Sequence, residues 1–79
     1  MEIIEYATTT CPVCKRMAPE LKKLLRAGFR IKIVNCDKKV SKCKDIKHAP
    51  TLIIKKGNKS KKIVGFTTAE DLKLEFEYL

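Results

Sequence analysis

The sequence predicts an α/β domain in the order β-α-β-α-β-β-α, its four-stranded mixed sheet flanked by helices. Three observations carry this. An apolar, β-prone run at the N-terminus leads into a segment whose apolar residues recur at steps of three and four. That segment leads in turn into an alternating, β-branched run, and a right-handed crossover makes the two strands parallel. Two later β-prone runs flank Gly57-Asn58, the signal of a hairpin. The C-terminal segment opens on a capping pattern and completes the order with a helix.

Taken in order, Ile3, Ile4 and Tyr6 define a first strand over about residues 2 to 7, expected to be buried on both faces. Val13, Met17, Leu21, Leu24 and Leu25 then form one face of an amphipathic helix, with Lys15, Arg16, Lys22, Lys23 and Arg26 largely opposite and Gly28 as its stop. Pro12 suits the first helical position, which makes Cys11 the N-cap. Pro19 removes a backbone donor inside the helix and predicts a kink. Arg30 to Cys36 reads as the second strand, and Lys38 to Ile46 as a short helix or irregular turn. Thr51–Lys56 and Lys61–Phe66 are the hairpin strands. In the last helix Thr68 to Asp71 resembles a capping box, and Leu72, Phe76 and Leu79 form its apolar face.

With 79 residues, the chain reads as one domain over residues 1–79, burying about 60 to 65% of its unfolded surface. A hydrophobic fraction of 44% and a charged fraction of 34% fit a globular domain and exclude fibrous and disordered classes. No apolar run reaches the roughly 18 residues of a membrane span, and the first residues lack the pattern of a secretory leader. The expectation is therefore a cytoplasmic protein without membrane association. The net charge is +9, and 17 of the 18 Lys and Arg residues fall between Lys15 and Lys62. Such a field steers acidic partners, and it equally describes a solvated basic face.

Chemistry concentrates at Cys11 and Cys14. In a reducing compartment cysteines at this spacing serve redox or metal chemistry more often than structural bridging. At a strand-to-helix junction the first sulfur lies beside the unpaired N–H groups of the helix, where an anion is stabilised. Cys11 is thus the predicted nucleophile. Cys14, nearly one turn on and more enclosed, is the predicted resolving thiol, which attacks the Cys11 sulfur and releases reduced substrate.

Around this pair the chain resembles the thioredoxin and glutaredoxin superfamily over nearly its whole length. Cys11-Pro12-Val13-Cys14-Lys15 followed by Ala18-Pro19-Glu20-Leu21 is similar to the thioredoxin segment C-G-P-C-K-x-x-A-P-x-L. Val34-Asn35-Cys36-Asp37, Ala49-Pro50-Thr51-Leu52 and Val64-Gly65-Phe66 resemble three further thioredoxin stretches in order. The resemblance implies a minimal thioredoxin fold and protein-disulfide reduction through a redox-active Cys11–Cys14 disulfide, with no bound cofactor and no metal. It implies that Pro50 is cis, that Ala49 offers its backbone to an extended substrate, and that Pro12, Val13, Gly65 and Phe66 line the substrate site. Glu5, six residues before Cys11, stands at the spacing of a buried family carboxylate that relays a proton to the second cysteine. The partners implied are disulfide-containing proteins, with ribonucleotide reductase a family-type client, and thioredoxin reductase or glutathione as electron donor to a monomer.

The compact layout and Cys11-Pro12 also resemble glutaredoxins, which makes a glutathione-dependent glutaredoxin the alternative. Against it, Val13 replaces their tyrosine, Thr8 their glutathione-binding lysine, His48-Ala49 their Thr-Val, and Gly65-Phe66 their Gly-Gly. Cys36 and Cys43 read first as small apolar core residues, with a second disulfide and a four-cysteine zinc site as alternatives. His48 reads as a groove or surface residue. A basic nucleic-acid module is the competing class, but the lysines of the hairpin lack interleaved aromatics for stacking.

Overall fold

The computed structural model describes residues 1–79. Its elements are β1 (Glu2–Ala7), α1 (Pro12–Arg26), β2 (Arg30–Asn35), a 3₁₀ turn (Val40–Cys43), β3 (Thr51–Lys56), β4 (Lys59–Val64) and α2 (Ala69–Tyr78). The α/β class and the order match the expectation, with a single 3₁₀ turn in the place of the second helix. The strands form one mixed sheet, β2-β1-β3-β4. β1 runs parallel to β2, and β3 antiparallel to β1 and β4.

Strand register explains the core. Ile3 stands opposite Ile31 and Ile54, and Leu52 opposite Glu5 and Ile63, so these residues share one sheet face. Met17, Leu21 and Leu24 of α1 and Ala69, Leu72 and Phe76 of α2 pack onto that face as one buried cluster with Ile3, Leu52 and Ile54. The helices are joined by more than apolar contact. The Glu20 carboxylate accepts the Ala69 N–H at 3.0 Å and the Lys23 ammonium at 3.2 Å, so a side chain of α1 satisfies a free donor at the start of α2. The Thr68 hydroxyl accepts the Asp71 N–H at 3.1 Å, and the Lys56 ammonium donates to the Phe76 carbonyl at 3.0 Å.

β1 departs from the expectation of burial on both faces. Ile3 and Glu5 are buried, whereas Ile4 and Tyr6 are only half-buried. Both helices lie against one face, and the opposite face, which carries the row Lys32, Ile4, Ile53, Lys62, has no helix over it. At the end of that face nearest Cys11, Val34 and Thr51 are buried on either side of half-buried Tyr6. Leu25 of α1 stands 58% exposed on the covered face, beside Ile31 and Ile33 of edge strand β2.

β4 begins two residues earlier than the pattern suggested. Gly57 takes φ +61° while Asn58 keeps a negative φ, so the turn needs only two residues and pairing resumes at Lys56 and Lys59. Pro19 lies within α1 without ending it.

Candidate functional site

The site forms where the C-terminal ends of β1 and β2, the start of α1 and the entry to β3 meet. Cys11 caps α1: its sulfur accepts the Cys14 N–H at 3.1 Å, with Pro12 in the first helical turn, where its missing donor costs nothing. The Cys11 thiol donates to the Ala49 carbonyl at 3.6 Å. The Ala49–Pro50 peptide is cis, and the Pro50 carbonyl accepts the Gly65 N–H at 2.8 Å. Ala49, Pro50 and Gly65 are therefore brought into one wall beside Cys11, and Phe66 follows directly, 50% exposed. Pro12 is exposed and Val13 half-buried on the helix side. Both cysteines are free thiols, Cys11 partly exposed and Cys14 buried.

Cys14 sits in a different electrostatic setting from Cys11. Burial first, then the hydrogen bond with Cys11 and the charges of Cys11 and Glu5, together push its thiol up to about 11 against the lowering effect of a backbone bond from Thr8. The last of these places Glu5 within electrostatic reach of Cys14. Glu5 is 4% exposed, its Oε2 has no hydrogen-bond partner, and burial raises its carboxyl above the usual range. It lines a cavity of about 210 Å³ between α1 and β2, with Ala18, Leu21, Leu25, Ile31 and Ile33. The strand register explains why it faces inward: it lies two residues from Ile3, on the helix-covered face.

A buried carboxyl of this kind has a signed consequence. Its neutral form is favoured in the fold, so the stability it supports is present below the ordinary carboxylate pKa and is lost as pH rises through the elevated one. Glu5→Gln is expected to flatten the pH dependence of Tm above about pH 4.5, measured by calorimetry. The same variant is expected to slow disulfide exchange near neutrality by about 100-fold and to remove one limb of the pH–rate profile. An unchanged profile would exclude Glu5 from proton transfer.

Sequence reasoning missed the anchor of the loop before Cys11. The Asp37 carboxylate accepts both the N–H of Thr9, at 2.8 Å, and its hydroxyl, and these two bonds hold the Asp37 carboxyl below its usual range. The Val34-Asn35-Cys36-Asp37 stretch was visible, but its partner 28 residues away was not.

The reading of Cys36 and Cys43 as separate apolar residues is corrected: they are joined as a disulfide, and neither is buried in the core. Their segment packs no residue into the core: Val40 stands 68% exposed and Ile46 is only half-buried. The four cysteines thus form two separate pairs, Cys36 with Cys43 and Cys11 with Cys14. His48 is exposed, its carbonyl accepting the Thr51 hydroxyl at 2.5 Å. A larger cavity of about 500 Å³ lies between β4 and α2 and contains none of the candidate site residues.

No curated relative matches the sequence. Among solved structures, a malarial protein superposes with a TM-score of 0.91 at 22% identity, covering 98% of this chain and 93% of that one. Malaria parasite thioredoxin-2 gives 0.89 at 20% identity, with 99% and 82% covered. Mitochondrial thioredoxin 3 from Saccharomyces cerevisiae gives 0.77 at 26% identity, with 99% and 77% covered. The thioredoxin family model matches residues 1–77. With that match spanning both cysteine pairs, the cis proline and both helices, the chain belongs to the thioredoxin family.

Proposed function

We propose that this protein is a thiol–disulfide oxidoreductase that reduces disulfides of other proteins through Cys11 and Cys14. The observation that carries the reading is the asymmetry of the pair: a partly exposed sulfur at a helix N-terminus, hydrogen-bonded to the N–H of a buried, high-pKa thiol. Cys11, as thiolate, attacks one sulfur of a client disulfide. That S–S bond breaks, the other client sulfur leaves as thiolate, and a mixed disulfide with Cys11 forms. Cys14 stays a thiol near neutral pH and does not compete for the client. Once Glu5 takes its proton, directly or through a water, Cys14 attacks the Cys11 sulfur. The client leaves with two thiols, and its two-electron reduction is balanced by formation of the Cys11–Cys14 disulfide.

The wall of Ala49, Pro50, Gly65 and Phe66, with Pro12 and Val13 opposite, supplies the backbone and apolar surface for an extended client segment. Charge adds steering. The only ion pairs are Lys23 with Glu20 and Lys61 with Glu75, and Lys56 donates to the Phe76 carbonyl, which leaves most of the basic side chains to act on solvent and partner.

Insulin reduction with dithiothreitol as terminal reductant tests the activity without presuming a donor. The protein is expected to accelerate precipitation of the insulin B chain at least about tenfold over dithiothreitol alone, and no acceleration would refute the proposal. Oxidised protein offered NADPH with a thioredoxin reductase, or glutathione, then separates the two readings. Reduction by the flavoprotein supports thioredoxin-type use, and reduction by glutathione alone would shift the assignment to a glutaredoxin.

A further inference from the structure

The Cys36–Cys43 disulfide takes no part in the chemistry of Cys11, yet it lies in the one segment that touches both sides of that site. Immediately after β2, the Cys36 N–H donates to the Ala7 carbonyl at 2.8 Å, and Asp37 holds Thr9 in the loop that leads into Cys11. At its other end the segment delivers Ala49, whose carbonyl accepts the Cys11 thiol.

Little else holds this segment. No residue from Cys36 to Ala49 is buried, and the backbone bonds inside it are local: Lys38 and Lys39 to Asn35, Lys42 to Lys39, and Ile46 to Cys43. A disulfide here orders the segment in place of packing.

Three features distinguish the bond from an inert staple. Its residues are half-buried rather than sealed, so a thiol can approach. Lys38, Lys39, Lys42 and Lys44 flank it against two carboxylates, Asp45 and Asp37, the latter engaged by Thr9, and the net positive field stabilises the thiolates that cleavage produces. It also closes a sequence separation of only 7, while the buried cluster draws no residue from the segment, so the fold does not depend on it.

We propose that Cys36–Cys43 is a second redox centre, an exchangeable disulfide reduced by dithiols, whose state sets how firmly both walls of the Cys11 site are held. A dithiol's thiolate attacks one of the two sulfurs, the Cys36–Cys43 bond breaks, and the other cysteine leaves as thiolate. The second thiol of the reductant then displaces the first attachment. The dithiol ends as a disulfide, and Cys36 and Cys43, having gained two electrons and two protons, end as thiols.

This exchange stands whether or not Cys11 reduces proteins, because it can be read in a chain that lacks the first pair. In a Cys11→Ser/Cys14→Ser variant, native-state titration with dithiothreitol followed by alkylation and peptide mass mapping is expected to take the chain from zero to two labelled thiols, at Cys36 and Cys43, while its circular dichroism stays constant. Amide hydrogen exchange over residues 37–49 is expected to rise at least tenfold on reduction, with β1 and β3 unchanged. In the otherwise native chain, Cys36→Ser/Cys43→Ser is expected to lower kcat/KM for insulin about threefold and to abolish any dependence on prior oxidation that persists once Cys11 and Cys14 have been reduced. Thiols that appear only on unfolding, thiols that remain free under excess oxidant, or unchanged exchange over 37–49 would each overturn the proposal.

Discussion

Cys11→Ser is expected to abolish disulfide reduction, with kcat/KM falling by about a thousandfold or more, because a serine hydroxyl at neutral pH supplies neither the anion nor the soft nucleophile that attacks sulfur. The substitution changes one partly exposed atom at a helix cap. An oxygen there still accepts the Cys14 N–H, so Tm is expected to move little. Cys14→Ser separates the two steps: attack by Cys11 proceeds, resolution does not, and the mixed disulfide accumulates as a covalent adduct visible by non-reducing electrophoresis or intact mass. Full insulin reduction by Cys11→Ser would remove Cys11 from the mechanism. Failure of Cys14→Ser to hold an adduct would remove Cys14 from resolution.

The largest effect on stability is expected from Phe76→Ala. Phe76 is 2% exposed, and its ring lies 5.1 Å from that of Phe29 at a tilt of 44°. Truncating a buried phenylalanine costs about 3–5 kcal/mol, and the lost ring pair accounts for about 0.5–1.5 kcal/mol of interaction beyond area. A domain of this size has a total stability of roughly 4–12 kcal/mol at typical values per residue. The variant is therefore expected to be largely unfolded at 37 °C or to show a sharply reduced urea midpoint. Tyr78→Ala, in the same helix but 87% exposed, is expected to stay within about 0.5 kcal/mol of the parent. Equal losses from the two would mean that α2 is not anchored through Phe76.

Sequence and structure agree where local chemistry decides the outcome. Pro12 and Cys11 set the start of α1, Thr68 caps α2, and Gly57-Asn58 forces the hairpin, each acting within a few residues of itself. The placement of Cys11 at the cap of α1 and of Cys14 one turn on was legible for the same reason, since a helix start and a spacing of three fix their relation. The misses concern long-range partners. Ile4 and Tyr6 share their strand's apolar character with Ile3, and only the docking of both helices on the other face shows that they have no helix over them and stay half-buried. Thr9 gives no sign of Asp37, nor Glu20 of Ala69, because hydrogen bonds over 28 and 49 residues leave no periodic trace. Cys36 and Cys43 are similar: burial statistics favour the core for a free cysteine, and the lysines around these two were the contrary signal.

The uncovered row of Lys32, Ile4, Ile53 and Lys62 has a consequence for colloidal behaviour. Bare β-sheet with adjacent isoleucines is the surface on which chains stack into aggregates. Here each end of the apolar pair carries an ammonium group, so two such faces can meet only by bringing like charges together and stripping water from them. On a sheet with helices on only one side, the two ammonium groups thereby oppose face-to-face stacking where no second helical layer lies.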